Sequence, residues 1–206
     1  MNDVEYLNRQ LNLIIGFLDV SDEDVYRRIE THDRFDLGQS IGGLYGNEYR
    51  NFQNHVTSSA LILGFTHFED FLTKMIARIL FKNPKTNKIK ITINEFEQLG
   101  ENYKKVLSER QARRLTFAEK VKLIECTFRD FSTDLIEEIL FVNKIRNCLM
   151  HNNGHADERL RPKYYNGERI VLSSQEINGY GLMARRFGYE LWKKVESMKS
   201  QTNKNI

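Results

Sequence analysis

The stretch SSALILGFTHFEDFLTKMIARILF, residues 58–81, is the most apolar helical pattern of this chain and the one around which a fold must form. Its apolar residues recur every three or four positions, which is the spacing of one wide face of an α-helix. They are Leu61, Phe65, Phe68, Leu72, Ile76 and Ile79. A helix this apolar is central to its domain, because other elements must pack around it to cover that face. The helical pattern begins near Asn47 and ends before Pro84, which cannot continue a helix.

Length and composition indicate one mainly helical domain. The chain has 206 residues, 40% of them hydrophobic and 29% charged, and it contains only two prolines. That length is sufficient for a substantial core. We expect a single domain over residues 1–206, with a core at about 50–195 and a helical extension at 1–46.

Further helices flank the apolar one. Residues 3–19 repeat apolar side chains at helical spacing, and the basic segment 102–114 is either a helix or a loop. TFAE at 116–119 and SSQE at 173–176 are capping boxes, in which a hydroxyl and a glutamate three positions later satisfy the first backbone N–H groups of a helix. The second box opens a last helix that extends to about Met198. The sequence therefore predicts a bundle of about five to eight helices.

Three other segments are predicted to be non-helical. LGQSIGGLYG at 37–46 is rich in glycine and indicates a loop. IKITI at 89–93 alternates like a short strand. Asn166-Gly167, between KYY and RIVL, is typical of a turn in a small β-hairpin before the last helix.

Net charge and cysteine content limit the classes of protein to which this chain can belong. The formal net charge of +3 permits a nucleic-acid partner without requiring one. Cys126 and Cys148 lack the spacing of metal ligands or of a disulfide framework, so we expect no metal and no cofactor. The beginning MNDVEYLNRQ does not resemble a signal peptide, and ALILGF is too short to span a bilayer. The prediction is a cytoplasmic protein without a membrane partner.

The candidate site lies at the end of another apolar pattern, in KIRNCLMHNNG at 144–154. Arg146 continues a stripe with spacings of three and four, and Asn147 and His151 share a face because they are four positions apart. The apolar members of that stripe are Leu135, Ile139, Val142 and Leu149. Buried charge is costly unless it is paired, so either a cleft opens at Arg146 or partners meet it. A simpler interpretation is a helix end with a cationic last turn and an Asn-Gly C-cap.

The residues Arg146, Asn147 and His151 resemble the R-x4–6-H signature of the HEPN superfamily, the higher eukaryotes and prokaryotes nucleotide-binding domains. That family often has a polar residue, commonly asparagine, directly after the arginine. The helix at 58–76 is similar to the family's second core helix, where an apolar run surrounds an acidic residue. The loose resemblance covers about 50–195, and its sharp part is the six residues from Arg146 to His151.

This resemblance implies an all-α HEPN-type helical bundle that dimerises and cleaves RNA without a metal, as in bacterial toxin–antitoxin and phage-defence nucleases. The residue types suit that chemistry. The pKa of histidine lies near neutrality, which suits acid–base catalysis. The planar guanidinium of arginine binds two phosphate oxygens. We therefore expect Arg146 to bind phosphate, His151 to transfer protons and Asn147 either to orient His151 or to donate to a phosphate oxygen. The expected partners are RNA, a second copy of the chain and an antitoxin or defence-system protein.

Several further residues are candidates for supporting roles. Glu69 lies on the apolar side of its helix, where it is either a partner for Arg146 or a solvated edge residue. Two basic sets are able to follow an RNA backbone, although most charge runs are simply solvated faces. The RNA-binding candidates are Lys104, Lys105, Arg113, Arg114, Arg161 and Lys163.

Two alternatives to a nuclease remain open at this point. The chain is either a catalytically silent HEPN module that dimerises or binds RNA or nucleotide, or a helical structural protein in which R-x4-H is a coincidence. A bare R-x4-H occurs by chance in many chains of this composition.

Overall fold

The structure, a computed structural model, describes residues 2–16, 18, 39–83 and 92–198, with the backbone alone at 39–53, 93 and 101. This part of the chain is all-α. In chain order the helices are α1 (3–16), α2 (Gln39–Lys82), α3 (Ile93–Leu99), α4 (Tyr103–Arg114), α5 (Phe117–Thr127), α6 (Thr133–His151) and α7 (Ser174–Ser197). Short 3-10 turns at Gly100–Asn102 and Glu158–Leu160 precede α4 and follow α6.

The central element is α2, as its apolar pattern predicts. The helices α4, α5, α6 and α7 pack on α2, and α1 does so where Leu11 and Ile14 approach Gly64. The most deeply buried residues of α2 include Phe68, Leu72, Met75, Ile76 and Ile79. One continuous core joins α1, α2, α4, α5, α6 and α7. None of the described helices combines the length and the apolarity that crossing a membrane requires.

Local capping sets where several helices begin. The side chain of Thr116 accepts from the backbone N–H of Glu119, and Ser173 and Glu176 make the same reciprocal contacts at the start of α7. Both capping boxes are therefore confirmed. A third capping box, formed by Thr92 and Glu95, starts α3 at Ile93. The last residue of the predicted strand at 89–93 is therefore helical, and residues 89–91 lie outside the described part of the chain.

The predicted loop at 37–46 is wrong from residue 39 onward, because α2 begins at Gln39. A glycine in a helix costs about 1 kcal/mol relative to alanine, yet it keeps the N–H group that the helix needs. Glycines alone therefore do not end a helix. Residues 37 and 38 lie outside the described part of the chain.

The predicted hairpin before α7 is not formed by KYY and RIVL. The turn at Asn166-Gly167 is present, with Gly167 at a φ of +82°. The pairing partner is instead the segment that directly follows α6, through an isolated antiparallel bridge between His155 and Arg169. The residues before the turn cannot serve as a strand, because the N–H of Tyr164 bonds back to the preceding 3-10 turn.

Candidate active site

The candidate site is built on the last two turns of α6. The helix starts where the Ser132 hydroxyl accepts the N–H of Leu135, and it ends at His151. Beyond it the backbone enters the left-handed region at Asn153 and Gly154, with φ values of +50° and +78°. The N–H of Gly154 then bonds back into the last helical turn. The helix-ending run predicted from the sequence is confirmed.

Arg146 lies at the edge of the packed face and not within the apolar stripe predicted for it. The buried stripe of α6 continues from Val142 through Ile145 and Cys148, all of them fully buried. An α-helix has 3.6 residues per turn, so a stripe spaced by three and four drifts around it, and Ile145 takes the central place. The Arg146 side chain keeps 18% of its exposure. The side chain is therefore mostly buried, at the border of the core.

The Arg146 guanidinium hydrogen-bonds one neighbour, Asn147, and lies at a longer distance from another, Glu69. Nη1 donates to Asn147 Oδ1 at 3.1 Å, and Nη2 lies 4.0 Å from Glu69 Oε2. Nε is buried without a hydrogen-bond partner among the described residues. The predicted proximity of Glu69 and Arg146 is thus present, as a long charge contact without a hydrogen bond. Toward the described residues, the guanidinium therefore makes one hydrogen bond through Nη1 and one longer charge contact through Nη2.

Glu69 has a closer partner that the sequence analysis missed. Lys120 Nζ donates to Glu69 Oε1 at 3.3 Å. The side chain of Lys120 is only 4% exposed, and among the described residues it is the one charged residue in the buried class. The sequence does contain a signal: Lys120 lies three residues after Phe117 and four before Ile124, on the apolar side of α5.

His151 is exposed at the last position of α6. Residues five apart on an α-helix point about 140° apart, so His151 and Arg146 project in different directions from one chain. Asn147 lies one turn before His151 and accepts from Arg146, which places it between the two. Within one copy of the chain the three residues therefore lie on the same helix end, but the side chains of His151 and Arg146 do not converge on one point.

A carboxylate anchors the segment behind the helix end. Asp157 Oδ2 accepts from Arg159 Nε at 2.9 Å and lies 3.4 Å from Cys148 Sγ and from Asn152 Nδ2. The hydrogen bonds from Arg159 lower the pKa of Asp157 to about 2. Burial raises the pKa of the Cys148 thiol, which keeps it protonated and poorly nucleophilic. This network fixes the backbone that follows the site.

Two of the predicted RNA-binding residues share one cleft. Lys105 and Arg113, on one side of α4, line a cavity of about 510 Å³ between α1, α2 and α4. Other cations of this cavity are already engaged: Lys74 pairs with Asp70 at 2.9 Å, and Arg78 pairs with Glu196 at 2.8 Å. The cleft is therefore mixed in charge, although cations outnumber anions in its lining.

The remaining basic candidates are not brought together with that cleft. Lys104 and Arg114 are exposed at other positions on α4, and Arg161 is exposed beyond the end of α6. Lys163 is held by Glu176 at 3.0 Å and by the Tyr180 hydroxyl at 3.2 Å. Partial burial lowers the pKa of Lys163, but these hydrogen bonds outweigh it, and the net pKa lies above the usual range. Its ammonium is already committed within the fold.

No three histidine, cysteine or acidic side chains of the described residues are grouped in a way that would hold a metal ion. Comparison with family models, with curated proteins and with solved structures finds no match for this chain.

Proposed function

We propose that this protein is a metal-independent endoribonuclease of the HEPN type, acting in the cytoplasm as a toxin or defence effector. The observation that supports this function best is the state of Arg146. Its side chain is 18% exposed, its Nε has no hydrogen-bond partner among the described residues, and its Nη2 lies 4.0 Å from the Glu69 carboxylate. A guanidinium held in place but not neutralised suits a phosphate ligand, which it can bind with two parallel hydrogen bonds.

The chemistry uses the nucleophile that RNA itself carries. A neutral His151 imidazole takes the proton of the 2′-hydroxyl, and O2′ attacks the adjacent phosphorus. Arg146 stabilises the charge that develops on the phosphoryl oxygens. The P–O5′ bond then breaks, and a protonated imidazole gives its proton to the leaving 5′-oxygen. The products are a 2′,3′-cyclic phosphate and a free 5′-hydroxyl.

The site requires two copies of the chain in this proposal. Base and acid are two roles, and each chain supplies one histidine at the motif. His151 and Arg146 also point about 140° apart on α6, so one chain does not focus both on a single phosphate. A two-fold contact between the α6 ends places Arg146 of one copy beside His151 of the other. Met150, which is 44% exposed, is available to such an interface.

The direct test is incubation of purified protein with total RNA in the presence of EDTA. We expect cleavage that survives chelation and yields cyclic or 3′-phosphate ends. His151→Ala and Arg146→Ala should both abolish it. His155→Ala is the matched control, because His155 is an exposed histidine four residues further on, and this variant should cleave normally. Activity that is lost in EDTA and restored by Mg²⁺ would exclude the mechanism.

A mixing experiment tests the composite site. Subunits carrying Arg146→Ala and subunits carrying His151→Ala are each expected to be inactive. Their heterodimer keeps one Arg146 facing one His151 across the interface but lacks the second histidine. It should therefore show weak activity that neither mutant homodimer has. Sedimentation should show a dimer at the assay concentration. An active monomer would refute the two-copy arrangement.

One observation favours a second candidate function, a catalytically silent module that dimerises and binds RNA or nucleotide. Arg146 is turned toward Glu69 and hydrogen-bonded to its own neighbour Asn147, an arrangement that also suits a structural arginine. Such a module would bind a labelled RNA without cleaving it, and His151→Ala would leave binding and stability unchanged. An antitoxin or other partner protein would then supply the biological output.

A further inference from the structure

We propose that Lys120 is a positioning residue of this site: by holding the Glu69 carboxylate, it keeps the Arg146 guanidinium free to bind a phosphate of RNA. This role presupposes the ribonuclease site proposed above. Among the described residues, the hydrogen-bonding and ion-pair partner of the Lys120 ammonium is Glu69, so Lys120 acts on Arg146 through Glu69.

The distances divide Glu69 unequally between its two cations. Oε1 lies 3.3 Å from Lys120 Nζ, within hydrogen-bond range. Oε2 lies 4.0 Å from Arg146 Nη2, which is too far for a hydrogen bond. The carboxylate is therefore hydrogen-bonded to Lys120. Arg146 is attracted by its charge but makes no hydrogen bond to it.

The charge balance follows from this division. Two cations share one anion, so the three side chains of Lys120, Glu69 and Arg146 carry a net positive charge. An added phosphate is attracted to the surplus, and Arg146 is the more exposed of the two cations, at 18% against 4% for Lys120. Without Lys120 the net charge of Glu69 and Arg146 is zero. Arginine and carboxylate then form a paired fork readily, and a phosphate would have to compete with Glu69 for the guanidinium.

The burial of Lys120 is unexplained by packing alone. A lysine that is 4% exposed loses the hydration of its ammonium group, which is costly unless a charge compensates it. Methionine or leucine would fill the same place between Phe117 and Ile124 without that cost. The lysine is instead placed where its ammonium reaches Glu69, which is the contact that controls Arg146.

Binding measurements in a His151→Ala background test the role without cleavage. The probe is a fluorescently labelled single-stranded RNA oligonucleotide. Lys120→Met should weaken its binding about tenfold, the equivalent of about 1.4 kcal/mol. Adding Glu69→Gln to Lys120→Met should restore binding, because no carboxylate remains to capture Arg146. Lys122→Met removes the same charge from an exposed position of α5 and should change binding by no more than about twofold.

The rescue separates positioning from simple structural damage when urea denaturation shows that Lys120→Met and the double variant are both folded under the binding conditions. If Lys120→Met does not fold, Lys120→Gln is the replacement, since it removes the charge and keeps a polar side chain. Binding by Lys120→Met equal to that of its parent would overturn the proposal. So would a double variant that binds as weakly as Lys120→Met.

A second readout does not depend on RNA. The ¹⁵N–¹H signal of Arg146 Nε is assigned by its loss in Arg146→Lys. We expect it to shift in Lys120→Met, as the guanidinium closes on Glu69, and to stay in place in Lys122→Met. If the parent protein binds no RNA, the ribonuclease proposal fails, and this signal alone decides the role of Lys120. An unmoved signal in Lys120→Met would overturn that role.

Discussion

Replacing Glu69 with methionine tests the charge arrangement of the core most directly. The change removes a carboxylate that faces Lys120 at 3.3 Å and Arg146 at 4.0 Å. Among the described residues, no other carboxylate lies within ion-pair distance of Lys120. The Glu69→Met protein therefore keeps a buried ammonium group with nothing to compensate its charge.

The size of the effect follows from the burial of the two partners. Removing one member of a buried ion pair costs about 3–5 kcal/mol. Glu69 is 31% exposed, so water reaches part of the pair, and we expect the lower end, about 3 kcal/mol. For a chain of this length each kcal/mol shifts the melting temperature by about 2–4 °C. The expected decrease in melting temperature is about 6–12 °C.

Replacing either of the two cations, instead of Glu69, should cost less stability. In Lys120→Met, Glu69 still has Arg146, and in Arg146→Met it still has Lys120. Each should lose about 1–2 kcal/mol, because the remaining cation takes over the carboxylate. The double variant Glu69→Met with Lys120→Met should recover most of the lost stability, since an apolar replacement of a buried pair is often neutral.

Urea denaturation followed by two spectroscopic probes measures these free energies of unfolding. Asp70→Met is the matched control. It removes the same charge from the next position of α2, where the side chain is 59% exposed and pairs with Lys74. Such an exposed pair contributes about 0–1 kcal/mol. If Glu69→Met and Asp70→Met lose the same stability, the buried pair does not stabilise the fold as argued.

Two further predictions concern packing and pH. Gly188→Ala should destabilise the protein by about 1–3 kcal/mol, because the new methyl would lie 3.0 Å from Leu7 where α7 meets α1. Gly179→Ala, in the same helix and with none of the described residues within 4 Å of the new methyl, should instead stabilise by about 0.5–1 kcal/mol in the same urea titration. Arg159 lowers the pKa of Asp157 to about 2, below the unfolded value of about 3.9. The stability that depends on Asp157 is therefore present above about pH 4 and lost as the pH falls toward about 2. Wild type should exceed Asp157→Asn in stability at pH 7, and the difference should disappear near pH 2.

Each of these has a contradicting result. Equal behaviour of the two glycine variants would show that α7 does not approach α1 closely at Gly188. A stability difference between wild type and Asp157→Asn that stays constant from pH 7 to pH 2 would show that the ion pair with Arg159 does not lower the pKa of Asp157.

The helices and their starts follow from the sequence by itself. The capping boxes at Thr116 and Ser173 involve residues three apart, so neighbouring side chains satisfy them whatever the rest of the chain does. The periodic apolar face of α2 similarly predicts its central place. The end of α6 at Asn153-Gly154 is also local, because a left-handed backbone there suits these residue types. The R-x4-H spacing at Arg146 is visible for the same reason.

The contact between Lys120 and Glu69, beside Arg146, depends on how the helices pack. Lys120 and Glu69 are 51 positions apart, and their contact exists because α5 and α6 pack side by side on α2. Local patterns carry no information about such a pairing, since a lysine on an apolar face is compatible with several helix arrangements. The pairing of His155 with Arg169, in place of the predicted hairpin, has the same origin. Short-range hydrogen bonds and apolar periodicity determine the elements of this protein, whereas the packing of those elements determines which buried charges face one another.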